Sequence, residues 1–172
     1  MQDWRWAAAW ILGAFGLWMV ASSVSPPLPA LVGRDMGPEL APLEARVSAH
    51  PEDAAALEQL TEEYLTRGAP GLAQAALDRA PESVKAEPAI ADARARSLSE
   101  LGLARLALTA QKDVLTLCEQ QACPRGLVAR AERRARFLSQ MVRLGVEDPT
   151  EQPNRALLAY RLAVREVSLD MR

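Results

Sequence analysis

A single histidine, His50, limits the chemistry to be expected of this 172-residue chain. A serine or cysteine nucleophile needs a general base within hydrogen-bond reach, and no motif sets a nucleophile beside His50. His50 precedes Pro51-Glu52-Asp53, a sequence that suits the start of a helix, with Asp53 able to accept amide hydrogen bonds in its first turn. Cys118 and Cys123 are the only cysteines. Their interval is longer than that of redox pairs, and no other His or Cys stands near to complete a zinc site. A loop of this size can bring two Cα atoms within disulfide reach, so a structural Cys118–Cys123 disulfide is expected, with two free thiols as the alternative. There is no glycine-rich phosphate loop and no paired-histidine metal motif. No catalytic, metal-ligating or cofactor-binding residue is assigned, and an enzyme is not expected.

Net charge is −2 but unevenly distributed: residues 1–118 carry 10 basic and 15 acidic side chains, residues 119–172 carry 10 and 7. The basic excess falls mainly on Arg125, Arg130, Arg133, Arg134, Arg136 and Arg143, with Glu132 among them. Nucleic-acid binding needs a concentrated basic face with readers beside it. At helical spacing these arginines spread over more than half the wheel, with Leu127, Ala131, Leu138 and Val142 filling the remainder. A solvated helix face is the better expectation, with anionic lipid headgroups a further use for it. No nucleic-acid partner is expected.

The elements that must carry these residues are helical. Apolar residues make up 49% of the chain, alanine supplies much of that, and no stretch alternates as a strand would. The expected fold class is all-α. Between His50 and Pro81 the large and small positions are Leu57, Leu60, Tyr64, Gly68, Ala73, Leu77 and Ala80. Leu57, Leu60 and Tyr64 share one helical face, Gly68 can adopt the left-handed cap that ends a helix, and Ala73 lets a second helix approach closely.

This pattern resembles the tetratricopeptide repeat (TPR), a helix–turn–helix unit of about 34 residues, with Thr61 where the family usually has Gly or Ala. A second copy follows at that period. Gly68 to Gly102 is 34 positions, Leu72 and Ala73 recur as Leu106 and Ala107, Tyr64 maps to Leu98, and Ala76 maps to Ala110. The copy weakens where Leu57, Leu60 and Leu77 become Ala91, Arg94 and Gln111. In a degenerate third copy Leu144-Gly145 ends the first helix, and Ala156, Tyr160 and Ala163 take the inward positions, after an apparent insertion within Val146–Gln152. The resemblance covers about residues 50–168.

The resemblance implies a short TPR-like α-solenoid that binds protein partners. Its first helices would line a concave side, giving a candidate groove of Glu58, Glu62, Leu65, Asp92, Arg96 and Ser99. This set is mildly acidic and suits a partner segment with Lys or Arg. The opening Leu43–Asp53, followed by Ala54 and Ala55, is also similar to that of membrane-anchored TPR proteins of cytochrome c maturation, which chaperone apocytochromes.

Upstream, Trp4–Val24 reads as a single transmembrane helix. Trp6 to Ala21 carries no charge, about 30 Å of helix spans a bilayer core, and Trp4, Trp6 and Trp18 suit its interfaces. A signal peptide cleaved at Ala21-Ser22-Ser23 is the alternative. Arg5 and the terminal amine put the N-terminus in the cytoplasm and the helical body across the membrane, which for the bacterial proteins the chain resembles implies the periplasmic side of the inner membrane. Ala9, Gly13 and Gly16 form a candidate face for membrane-helix packing. The expected organisation is an anchor at 1–24, a proline-rich spacer at 25–38 and a helical domain at 39–172. That domain opens with a helix over about Glu39–Ala49 that buries Leu40, Leu43 and Val47 and so covers the edge of the first repeat.

The last helix, about Pro153 to Leu169, has two apolar faces. Leu157, Tyr160, Val164 and Val167 form one, with Tyr160 and Ala163 expected to cap the third repeat. Leu158, Leu162 and Leu169 form a candidate second contact face, for self-association or a partner. The expected function is a membrane-anchored TPR-like adaptor or scaffold. The alternatives are a structural accessory subunit of a larger membrane complex and an apocytochrome c chaperone.

Overall fold

The computed structural model describes residues 40–170 of the chain. The expected anchor, the Ala9–Gly13–Gly16 packing face and the proline-rich spacer lie outside the described residues, within which no helix is long and apolar enough to cross a membrane. The chain divides near Gly37, and the described residues belong to the second unit.

Local signals start and stop the helices. Asp53 caps the first long one by accepting the Ala56 amide at 2.9 Å, and Arg46 donates to the same carboxylate at 2.7 Å. That links the end of α1 (Leu40–Ala49) to the start of α2 (Ala54–Thr66). These bonds hold the Asp53 carboxyl below its usual range, the Ala56 amide most of all. Proline occupies the first position of α3 (Pro70–Arg79), α5 (Pro88–Glu100) and α8 (Pro153–Asp170), and immediately precedes α7 (Arg125–Arg143). Between them lie the four-residue α4 (Glu82–Lys85) and the long α6 (Ala104–Gln120). The fold is all-α: the described residues form eight helices and no strand.

Three helices end in the same way. Gly68, Gly102 and Gly145 have φ of 68°, 75° and 66°. At each, the glycine N–H donates three residues back and the next N–H donates five back: Gly68 to Leu65 with Ala69 to Tyr64, Gly102 to Ser99 with Leu103 to Leu98, Gly145 to Val142 with Val146 to Met141. This pair of bonds satisfies the last carbonyls and requires a residue at ease with positive φ. Gly102 is more constrained than Gly145, because a Cβ there would lie 3.2 Å from the Asp148 side chain, whereas one at Gly145 would meet nothing within 4 Å. Gly102→Ala should therefore cost about 2 kcal/mol and Gly145→Ala about 1 kcal/mol in denaturant titrations.

Packing is serial. Each long helix contacts the next, α2 against α3, α3 against α5, α5 against α6, α6 against α7 and α7 against α8, while α2 also reaches α5. Leu57, Leu77, Val84 and Ile90 form the core of the first hairpin and its neighbour. Ala91, Val114 and Ala131 join the middle helices. Leu98, Ala107, Leu138, Met141, Val146 and Ala159 form the last cluster. Helix α1 covers the open side of α2 as expected, with Leu40 buried and Leu43 and Val47 partly so. There Glu44 accepts the Tyr64 hydroxyl at 2.6 Å, and burial with this bond pushes the Tyr64 pKa up to about 12.

The second copy keeps the inward register at two of the three changed positions, and Ala91 is buried in the place of Leu57. Gln111 takes the place of Leu77 and is as fully buried. Arg94 does not take the place of Leu60 and is solvent-exposed. The third copy departs from expectation. Tyr160 is 58% exposed, and Ala159 is the buried residue. Ala156, Ala159 and Ala163 are the α8 positions turned toward α7, and small side chains there allow a close approach. The Tyr160 ring stands at the rim, edge-on to Phe137 at 6.3 Å.

Candidate interaction groove

Helices α2, α5 and α7 present one side chain stripe each to a shared groove of about 690 Å³. Glu58, Gln59 and Glu62 come from α2, Ala89, Asp92, Ala93 and Arg96 from α5, and Leu127, Arg130 and Arg134 from α7. Four of the expected groove residues, Glu58, Glu62, Asp92 and Arg96, are thus brought together. The other two are not. Leu65 is buried, because the inward stripe of α2 is wide enough to take in Leu57, Leu60, Thr61, Tyr64 and Leu65. Ser99 lines a separate cavity formed by the turns around Gly68 and Gly102 and the 148–150 loop.

Most of the groove's charge is neutralised internally. Arg96 makes a two-pronged ion pair with Glu62, one arm at 3.0 Å, between residues 34 positions apart. Their bond holds the Glu62 carboxyl below its usual range and raises the Arg96 guanidinium. Because both side chains remain partly in water, a double-mutant cycle on Glu62→Ala and Arg96→Ala should give a coupling of only about 0.2–1 kcal/mol.

The second pair is of another kind. Asp92 is 6% exposed and Gln111 fully buried. Arg134 donates to Asp92 at 2.6 Å and to Gln111 at 2.8 Å, while the Gln111 amide donates to Asp92 at 3.3 Å. This network bolts α5, α6 and α7 together at the groove floor. It corrects the expectation of a wholly solvated arginine face. At about 100° per residue Arg134 falls near Ala131 and Leu138, on the inward side of α7, and only a buried carboxylate makes that tolerable. Asp92 is correspondingly committed to the fold.

With these pairs made, the charges in the groove that form no ion pair among the described residues are Glu58 on α2 and Arg130 on α7. The lining holds three carboxylates and three guanidiniums, so it is balanced and not mildly acidic as expected. The expectation had counted two walls, and α7 supplies the third.

The cysteines are joined, with the sulfurs 2.08 Å and the Cα atoms 5.3 Å apart. The disulfide closes the connection between α6 and α7, and Cys118 packs beside the Ala91–Val114–Ala131 cluster. It thereby fixes the start of the helix that carries Arg130 and Arg134. His50 stands exposed at the turn before α2, within 3.6 Å of Glu52. Among the described residues no group of His, Cys, Asp and Glu could hold a metal ion.

Of the second contact face, Leu158 is exposed and Leu162 partly so. Leu169 lies in α8, its side chain outside the described part. No family model matches the chain, and neither a curated protein nor a solved structure resembles it significantly.

Proposed function

We propose that the chain is a membrane-tethered adaptor built as a short TPR-like solenoid, which holds a protein segment in the α2–α5–α7 groove. The observation that carries this reading is the recurrence at 34 residues. The turn at Gly68 is repeated bond for bond at Gly102, and Glu62 meets its own counterpart position, Arg96, across the groove. A repeat register of this kind aligns the first helices of successive hairpins, and aligned first helices make a continuous surface. With Glu58 and Arg130 as the charges left over, the partner segment carries a basic group toward α2 and an acidic group toward α7.

The apolar run Trp4–Val24 supports the tether, and the Cys118–Cys123 disulfide supports an oxidising compartment, the periplasm for a bacterial inner-membrane protein. The resemblance of Leu43–Asp53 to apocytochrome chaperones has a structural use here, since Arg46 and Asp53 bind each other. It adds little for that partner in particular. A structural subunit of a larger membrane complex is the second reading, favoured by the large apolar side chains exposed on α8.

The adaptor reading is tested by reversing both free charges. In Glu58→Arg with Arg130→Glu, proteins that co-purify with the wild-type chain from native membranes should be lost while helical content is kept. Retention of the same set would refute the groove as the binding site. A mature N-terminus near Val24, read by intact mass, would refute the tether.

A further inference from the structure

We infer that the outer face of α8 is a docking surface for an acidic amphipathic helix of another protein. With Ala156, Ala159 and Ala163 turned toward α7, about 100° per residue puts Arg161 opposite that stripe, with Arg165 beside it. Leu157, Tyr160 and Val164 run along one flank of the two arginines, and Leu158 and Leu162 along the other. Leu157, Leu158, Tyr160 and Val164 are each about half exposed, at 50%, 46%, 58% and 49%. Leu157, Tyr160 and Val164 recur at the three- and four-residue steps of a seam that packs against another helix.

Charge selects the occupant. From Pro153 to Arg165 the helix carries three arginines and no carboxylate. Glu166, the first carboxylate after them, already accepts from Gln140 and lies 3.9 Å from Arg143. Arg161 and Arg165 form no ion pair with any described residue. A second copy of α8 would bring guanidiniums against guanidiniums. A bilayer would receive Arg161 first and deepest, with the leucines behind it, the reverse of an interfacial helix. A helix with an apolar seam rimmed by Asp or Glu satisfies both the leucines and the arginines.

The surface is separate from the groove and is tested separately. Two synthetic helical peptides with the same leucine seam, one rimmed with Glu and one with Lys, are titrated against the full chain in zwitterionic nanodiscs. The Glu-rimmed peptide should bind at least about tenfold more tightly than its twin and slow hydrogen exchange over residues 153–165. Arg161→Glu with Arg165→Glu should reverse the preference without altering the circular dichroism. Equal binding of the two peptides, or binding of neither, would overturn the inference. So would α8 protection without peptide, whether it follows protein concentration alone or the addition of phosphatidylglycerol to the nanodiscs. Arg130→Glu should leave the peptide bound; its loss would assign the peptide to the groove and overturn the docking surface.

Discussion

Arg134→Ala should destabilise the fold by about 3–5 kcal/mol, the largest effect of any arginine substitution among the described residues. The loss of the guanidinium leaves Asp92, 6% exposed, as an uncompensated carboxylate between α5 and α7, and leaves the Gln111 carbonyl oxygen without its donor. Breaking one side of a buried pair costs more than the pair contributes, because the remaining charge stays desolvated. Arg133→Ala, one residue away and exposed, should change stability by less than about 0.5 kcal/mol. Denaturant titration followed by circular dichroism measures both. A similar, small effect at the two positions would mean that α7 is rotated from the orientation described.

The second large effect is Leu138→Ala, at about 2–5 kcal/mol. Leu138 is fully buried in the cluster that joins α6, α7 and α8, with Ala107, Met141 and Ala159 around it. Truncation there leaves a cavity that packed helices close only in part. Tyr160→Ala should cost below about 1 kcal/mol, since the ring is 58% exposed and gains only its edge contact with Phe137. The reverse ranking would restore Tyr160 as the inward residue of the third hairpin.

These two sites mark where the sequence could be read and where it could not. The helix ends at Gly68, Gly102 and Gly145 were legible, because a glycine at positive φ is a local requirement with few substitutes. Apart from Leu65, the buried faces of α2 and α3 were legible too, since Leu57, Leu60, Tyr64, Ala73 and Leu77 recur at helical spacing. The phase of α8 was legible only in part. Ala156 and Ala163 were expected inward and are, but Tyr160 was expected beside them where Ala159 is the buried residue. Hydrophobic pattern favoured the larger side chain, and close helix approach selected the small one. The Asp92–Gln111–Arg134 network was hidden because its members lie 19 to 42 positions apart. The available signal was a polar residue at an inward register position: Gln111 where Leu77 stands in the first copy. Such a residue needs a buried partner. The groove's charge was misjudged through the same distance, since its third wall comes from a helix the repeat pattern described poorly.

The claim that the α2–α5–α7 groove holds a partner protein is tested most directly by photo-crosslinking in native membranes. A benzophenone amino acid replaces Gln59 or Ala89 on the groove walls, and Lys112 on the exposed side of α6 as the control. The two groove positions should give the same discrete protein adduct, and Lys112 should not. No adduct from the groove, or one set of adducts from all three positions, would contradict the account.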